Sequence, residues 1–236
     1  MAGLGKVRGY YDLHLEGAGA SKYLQMLGWD GGVLCVDCKH GQRRPEAKGL
    51  LTAACIGGDF QKNARTALDS FDLVYAKPDN DKALREACEC WEVDMILHAS
   101  GSLKLDSAMA KLAAEREIAF EINLSVVLEA YGVRRSSILN ALHGNLILAR
   151  KYGMPVVLSS GARGEFEARS PKDMVSFAVL LGLPKDEAVR SVSDNPMELV
   201  SRAARRADPN VLLGGLRVVS WGQTTPTCPK RKWGWY

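Results

Sequence analysis

Apolar residues recur along this chain in short runs, separated by stretches with helical spacing. Residues 7–15 alternate, with Tyr11, Leu13 and Leu15 on one side and Tyr10, Asp12 and His14 on the other. Period two predicts a strand whose second face is polar. Further strands are predicted over residues 32–36, 50–56, 72–76, 93–98, 118–124 and 155–159. Helices are predicted between them, over 21–28, 59–68, 79–90, 105–117 and 137–152. The last of these carries Ile138, Leu142, Leu146 and Ala149 at helical spacing. Two capped helix starts follow, Ser170-Pro171-Lys172-Asp173 and Asn195-Pro196-Met197-Glu198, with a short helix over 183–192 between them. Val218 and Val219 are expected to pair briefly, and residues 223–236 form an irregular tail.

Seven apolar strands alternating with helices point to a parallel sheet. An open doubly wound sheet is apolar on both faces, whereas several strands here carry polar residues on one face, as the lumen of a closed barrel allows. In the strand over 118–124, Ala119, Glu121 and Asn123 share that face. The fold class expected is therefore α/β, a TIM-like barrel with seven clear strands and an eighth that is irregular or missing. It occupies residues 1–222 as a single domain, followed by the basic and aromatic tail 223–236. Ligands then belong at the carboxyl ends of the strands: near His14, residues 37–40, Lys77, residues 98–100, 123–125 and 159–163.

Composition narrows the partners only slightly. The 236 residues are 47% hydrophobic and 25% charged with a formal net charge of +4, an ordinary globular balance that permits an RNA partner without requiring one. No run has signal-peptide or membrane-span character, and the six cysteines are scattered as reduced thiols would be, so a cytoplasmic protein with no membrane association is expected.

Candidate chemistry is sparse. Asp12 and His14, two apart on a strand, are expected to project from one face near its end, as a hydrogen-bonded structural pair, an RNA or partner contact, or the start of a metal site or an acid/base pair. The chain holds four histidines, and His40 and His98 are those that strand ends could bring to His14. Their spacing matches no metal motif. Cys35 and Cys38 have C-x-x-C spacing, but Cys35 falls within a strand and reads as core. Glu121 on an inward face needs a partner, since a lone buried carboxylate is strongly unfavourable. The Gly161-x-x-Gly164 loop beside Arg163 either forms a turn or brings backbone N–H groups to a phosphate. Arg134, Arg135, Arg163, Arg169 and Lys172 gather around helix ends and loops. Lys230 to Tyr236 interleaves cations and aromatics, as single-strand RNA contacts often do.

Together the segments Phe120-Glu121-Ile122-Asn123, Arg135-Ser136, Ala149-Arg150-x-Tyr152, Pro155-x-Val157-Leu158-Ser159-Ser160-Gly161-Ala162 and Arg169-Ser170-Pro171-x-Asp173 resemble the ribonuclease P protein component 3 family. Tyr11-Asp12-Leu13-His14 and Val93-Asp94-Met95-Ile96 fit its first and fifth strands. The resemblance runs from about Val7 to Val200 and is weakest over residues 38–62 and after Arg217. That family is similar in fold to the PHP phosphoesterases, metal-dependent barrels that use several histidines and carboxylates at successive strand ends. This chain shows Asp12 and His14 in the first such position and lacks the rest of the set.

The resemblance implies a subunit of the ribonucleoprotein endonuclease that removes the 5′ leader of precursor tRNA. In such enzymes the RNA carries the active site and binds the Mg²⁺ ions, so no cofactor and no metal are expected on this chain. It also implies ribonuclease P RNA as partner, a smaller RRM-like protein subunit, and a heterotetramer with two copies of each protein; precursor tRNA is contacted indirectly. Arg134, Arg135, Arg163, Arg169 and Lys172 are the expected RNA or partner contacts. Asp12, His14, Glu121, Asn123 and Ser159 are expected as a polar group at the barrel mouth. The competing reading is a metal-dependent PHP-like phosphoesterase using Asp12 and His14.

Overall fold

The computed structural model describes residues 9–17, 19–38, 45, 49–98, 103–213 and 216–221. Seven strands form one parallel sheet in chain order: β1 (Tyr11–Leu15), β2 (Gly31–Asp37), β3 (Leu51–Ile56), β4 (Leu73–Ala76), β5 (Met95–Ile96), β6 (Ala119–Asn123) and β7 (Val156–Ser159). Helices return the chain: α1 (Leu24–Leu27), entered through a 3-10 turn at Ala20–Tyr23, then α2 (Phe60–Ser70), α3 (Asp81–Glu89), α4 (Ser107–Glu115), α5 (Leu124–Leu128) and α6 (Gly132–Tyr152). Beyond β7 lie α7 (Pro171–Leu180), α8 (Lys185–Arg190) and α9 (Asp194–Ala207), and the antiparallel pair β8 (Val211–Leu213) and β9 (Leu216–Arg217).

The helix starts follow the local chemistry. Asp59, Asn80 and Asp106 each accept the backbone N–H three residues on, which satisfies a donor that the first helical turn leaves without a partner. Ser170 and Asp173 form a reciprocal capping box with Pro171 at the first position, as the sequence predicts. The second predicted cap is displaced. Helix α9 begins at Asp194 after Ser193, without a side-chain cap, because the Asn195 amide is drawn instead to the Val156 carbonyl at 2.7 Å.

The sheet is a nearly closed TIM-like barrel, and the seam between β7 and β1 explains the missing eighth strand. In the upper half of the seam Gly161 N–H donates to His14 and Glu16 N–H donates to Ala162, making a parallel bridge between Leu15 and Ala162. In the lower half Leu158 N–H donates to Ser191 and Tyr11 N–H to Val192. Two irregular segments therefore fill the gap that a strand would occupy, and they give these four backbone N–H groups their partners.

Strand alternation divides the core into two layers. Leu13, Val33, Ala53, Leu73, Tyr75, Met95, Ala119 and Val157 fill the interior, while Val74, Ile96, Phe120, Ile122 and Leu158 pack outward against the helices. Leu199 and Ala203 of α9 join the interior layer. Beside them Arg206 donates to both oxygens of Asp94, at 2.8 and 2.7 Å, just ahead of β5. Helix α9 thus closes the amino-terminal end of the barrel, and among the described residues no helix closes the carboxyl ends of the strands.

Several boundaries differ from expectation. The fifth strand contracts to two residues, and at its start the Asp94 carboxylate takes the Val74 N–H that a longer strand would share with its neighbour. Helix α6 starts at Gly132, not Ser137, and the short terminal pairing uses Leu216–Arg217 rather than Val218 and Val219. Val7, His40, Ser100 and the tail 223–236 lie outside the described residues.

Candidate functional site

The polar group expected at the barrel mouth is present, but β1 does not deliver Asp12 and His14 to one face. The strand's register shifts between Asp12 and Leu15, so Leu13 enters the interior while Leu15 packs outward. Asp12 turns into the seam, where its Oδ1 accepts the N–H groups of Ser160 at 3.1 Å and His14 at 3.3 Å. Burial drives its carboxyl up to about 6, against the lowering effect of those hydrogen bonds and of His14. The bulge, invisible in the alternation, separates the presumed pair. Asp12 ties the seam, and His14 alone faces inward.

The partner of His14 is Glu121, which is fully buried on β6. His14 Nδ1 lies 2.5 Å from Glu121 Oε1, which also accepts from the Ser159 hydroxyl and, at 3.4 Å, from the Asn123 amide. Burial pushes His14 down, but the Glu121 charge and hydrogen bond outweigh it and raise the imidazole to about 9. Burial likewise pushes the Glu121 carboxyl up, yet the charge and hydrogen bond of His14, with the Ser159 hydrogen bond, hold it below its ordinary value. At neutral pH the two form an ion pair. Asn123 also caps α5, its Oδ1 accepting from Ser125 N–H and Oγ. This is the polar lumen that the alternation of residues 118–124 predicts, with the partner for Glu121 supplied by a strand 107 positions away in sequence.

His98 does not join His14. It is fully buried with its ring edge-on to Phe120 at 5.8 Å, and neither ring nitrogen has a hydrogen-bond partner among the described residues. Burial lowers it to about 4 despite the opposing charge of Glu121, so it is neutral. What does approach His14 is a pair of thiols. A His14 ring nitrogen and the sulfurs of Cys35 and Cys55 lie within 4.8 Å of one another, all buried. Sequence spacing associates Cys35 with Cys38; the interstrand register of β2 and β3 brings it to Cys55. These residues open onto a cavity of about 520 Å³ that Asp37, Lys77, Asn123, Arg134 and Arg163 also line.

The loop after β7 is no phosphate cradle. Its N–H groups at Ser160, Gly161, Ala162 and Arg163 donate to Asp12, His14, Ser160 Oγ and Glu167 respectively. Gly161 is required for a different reason: its φ is +63°, and a Cβ there would stand 2.4 Å from Asn123 Oδ1.

The five expected cationic contacts separate into distinct situations. Arg135 is half-buried, with Nε donating to the carbonyls of Val127 and Ala130 and Nη2 to Leu128, so it caps the end of α5. Arg169 turns its Nη1 to the carbonyls of Phe166 and Ala168. Arg163 pairs with Glu16 at 2.6 Å and Glu129 at 2.7 Å. Arg134 at the cavity rim and Lys172 at the start of α7 are exposed and have no ion-pair partner among the described residues.

A family model described as RNase P subunit p30 matches residues 57–208. That range covers the barrel from α2 to the end of α9, including the segments around Phe120, Pro155 and Arg169, and leaves out β1, β2 and β3. Ribonuclease P protein component 3 of Methanosarcina barkeri is 34% identical over 155 residues, covering 65% of this chain and 64% of that protein. The protein of the same name in Methanothermobacter thermautotrophicus is 25% identical over 222 residues, covering 84% and 91%. The aligned chain spans just under two thirds of the length of the Methanosarcina relatives. Among solved structures, a chain in a cryo-EM structure of archaeal ribonuclease P with mature tRNA superimposes with a TM-score of 0.74 at 20% identity, over 91% of this chain and 100% of that one.

Proposed function

Because the chain belongs to the RNase P subunit p30 family, we propose that it serves as a protein subunit of ribonuclease P, the ribonucleoprotein endonuclease that matures the 5′ end of precursor tRNA. The family match across most of the barrel carries this reading. The open end of the barrel agrees with it: Glu121 is engaged by His14 Nδ1 and Ser159, and Asp12 is held in the seam by backbone N–H groups. The alternative, a phosphoesterase using Asp12 and His14, loses support because those two side chains diverge.

In this reading the chain supports the catalytic RNA and does not itself cut, the Mg²⁺ ions belong to the RNA, and no cofactor is bound for the cleavage step. The partners are ribonuclease P RNA and a smaller RRM-like protein subunit, assembled with two copies of each protein; precursor tRNA is reached through the RNA. The site of work is the cytoplasm. Among the described residues no helix is long and apolar enough to cross a membrane. Cationic residues at the mouth neutralise phosphates, with Arg134 and Lys172 the leading contacts and Arg163 available if Glu16 and Glu129 release it.

The test is reconstitution of leader cleavage from the RNA and protein subunits at limiting Mg²⁺. Adding this chain raises the cleavage rate, and the chain alone gives none. A rate unchanged by its omission overturns the proposal.

A further inference from the structure

We propose that the barrel mouth binds a divalent cation of the zinc class through Cys35, Cys55 and His14. Their ligand atoms lie within 4.8 Å of one another. Around a tetrahedral zinc, sulfur at about 2.3 Å and imidazole nitrogen at about 2.0–2.1 Å place neighbouring ligand atoms roughly 3.5–3.8 Å apart. The three groups therefore need to close by only about 1 Å, within the reach of side-chain rotation.

The sheet register argues for an ion between the sulfurs and against a bond joining them. Cys35 pairs with Ala53, and Cys55 pairs with Asp37. The two cysteines thus sit one strand apart and two residues along, which separates their Cα atoms by about 8 Å. Disulfides do not bridge Cα atoms more than about 7 Å apart without moving the backbone. A bridging ion lengthens the connection and removes that constraint.

His14 is prepared for ligation from behind. Its Nδ1 is bonded to Glu121, so Nε2 is the nitrogen left for a metal, which must displace the proton there as it binds. A carboxylate behind the imidazole is the arrangement that fixes the ring and raises its basicity in metal sites. All three residues line the cavity, as does Asp37, so a water or that carboxylate would complete the fourth position. Two thiolates select zinc over hard oxygen-seeking ions such as Mg²⁺. The site is therefore distinct in kind from the ions assigned above to the RNA.

The full-length protein is titrated with Co²⁺, whose thiolate-to-metal charge-transfer absorption reports sulfur ligation, and then with Zn²⁺, counted by native mass spectrometry. One ion per chain is expected, with a charge-transfer band that Zn²⁺ abolishes by displacement. Cys35→Ser and Cys55→Ser each weaken binding by at least about tenfold, the lower bound for losing even an outer partner of a metal ligand. Cys88→Ser leaves it unchanged. Absence of the band in the wild-type chain overturns the proposal, as does a band that survives both serine substitutions or is lost only with Cys38→Ser or Cys228→Ser. If the serine variants misfold, the wild-type chain still decides: zinc must slow alkylation of Cys35 and Cys55, and equal labelling with and without zinc refutes the site.

Discussion

Both ends of the barrel bury an acid beside a base, but the two pairs sit in different surroundings. At the amino-terminal end Asp94 meets Arg206, and Leu199 and Ala203 of α9 seal the space around them. At the carboxyl end Glu121 meets His14 beneath an open cavity lined by thiols and cations. A sealed ion pair acts on stability alone, because nothing reaches it. A pair at the floor of a cavity also sets the charge and tautomer of a group that a ligand would meet. The contrast puts the polar groups that a ligand could reach at the carboxyl ends of the strands, where α/β barrels generally hold their ligands.

The largest expected effect comes from the sealed end. Asp94→Ala leaves the Arg206 guanidinium buried without its carboxylate and should cost about 3–5 kcal/mol of unfolding free energy in urea titration. A loss below about 1 kcal/mol would show that α9 lifts away and water reaches the pair, breaking the contrast between the ends.

The open end should respond to pH. His14 is raised from its ordinary 6.5 to about 9. The stabilisation from its pairing with Glu121 is therefore fully present below pH 6.5 and is lost as pH rises through about 9. The alkaline limb amounts to about 3 kcal/mol at most. Denaturation curves across this window should slope downward for the wild type and flatten in His14→Gln. An unchanged slope in the variant would assign the limb to other groups.

Smaller effects distinguish the cations at the rim. Arg135→Ala removes hydrogen bonds to three carbonyls at the end of α5 and should lower stability by about 1–2 kcal/mol. Arg134→Ala should barely change stability but reduce the salt dependence of RNA binding by about one unit of log–log slope, as should Lys172→Ala. Filter binding over a salt series checks this. If Arg135→Ala changes the slope and Arg134→Ala does not, the division into structural and contact cations is reversed.

The chain's own pattern determined much of this protein. Alternation and helical spacing located all seven strands and the helices between them except the short α5, because burying one face of each element forces a period into the residues. The same alternation placed Glu121 and Asn123 in a polar lumen, and the motifs around Phe120, Pro155 and Arg169 carried the family. Local patterns could not show what each inward group meets. Period two does not reveal a bulge, so Asp12 and His14 read as a pair when the backbone between them shifts register. Cys55 reads in sequence only as one of six scattered thiols, because its nearness to Cys35 and His14 depends on how β2 and β3 align and where β1 bends. The role of α9 was hidden for the same reason: Leu199, Ala203 and Arg206 lie on an ordinary amphipathic helix until the barrel end they close is built. Sequence period sets which way a side chain faces within its own element. Only the packing of distant elements decides what stands opposite it, and here that decided the site.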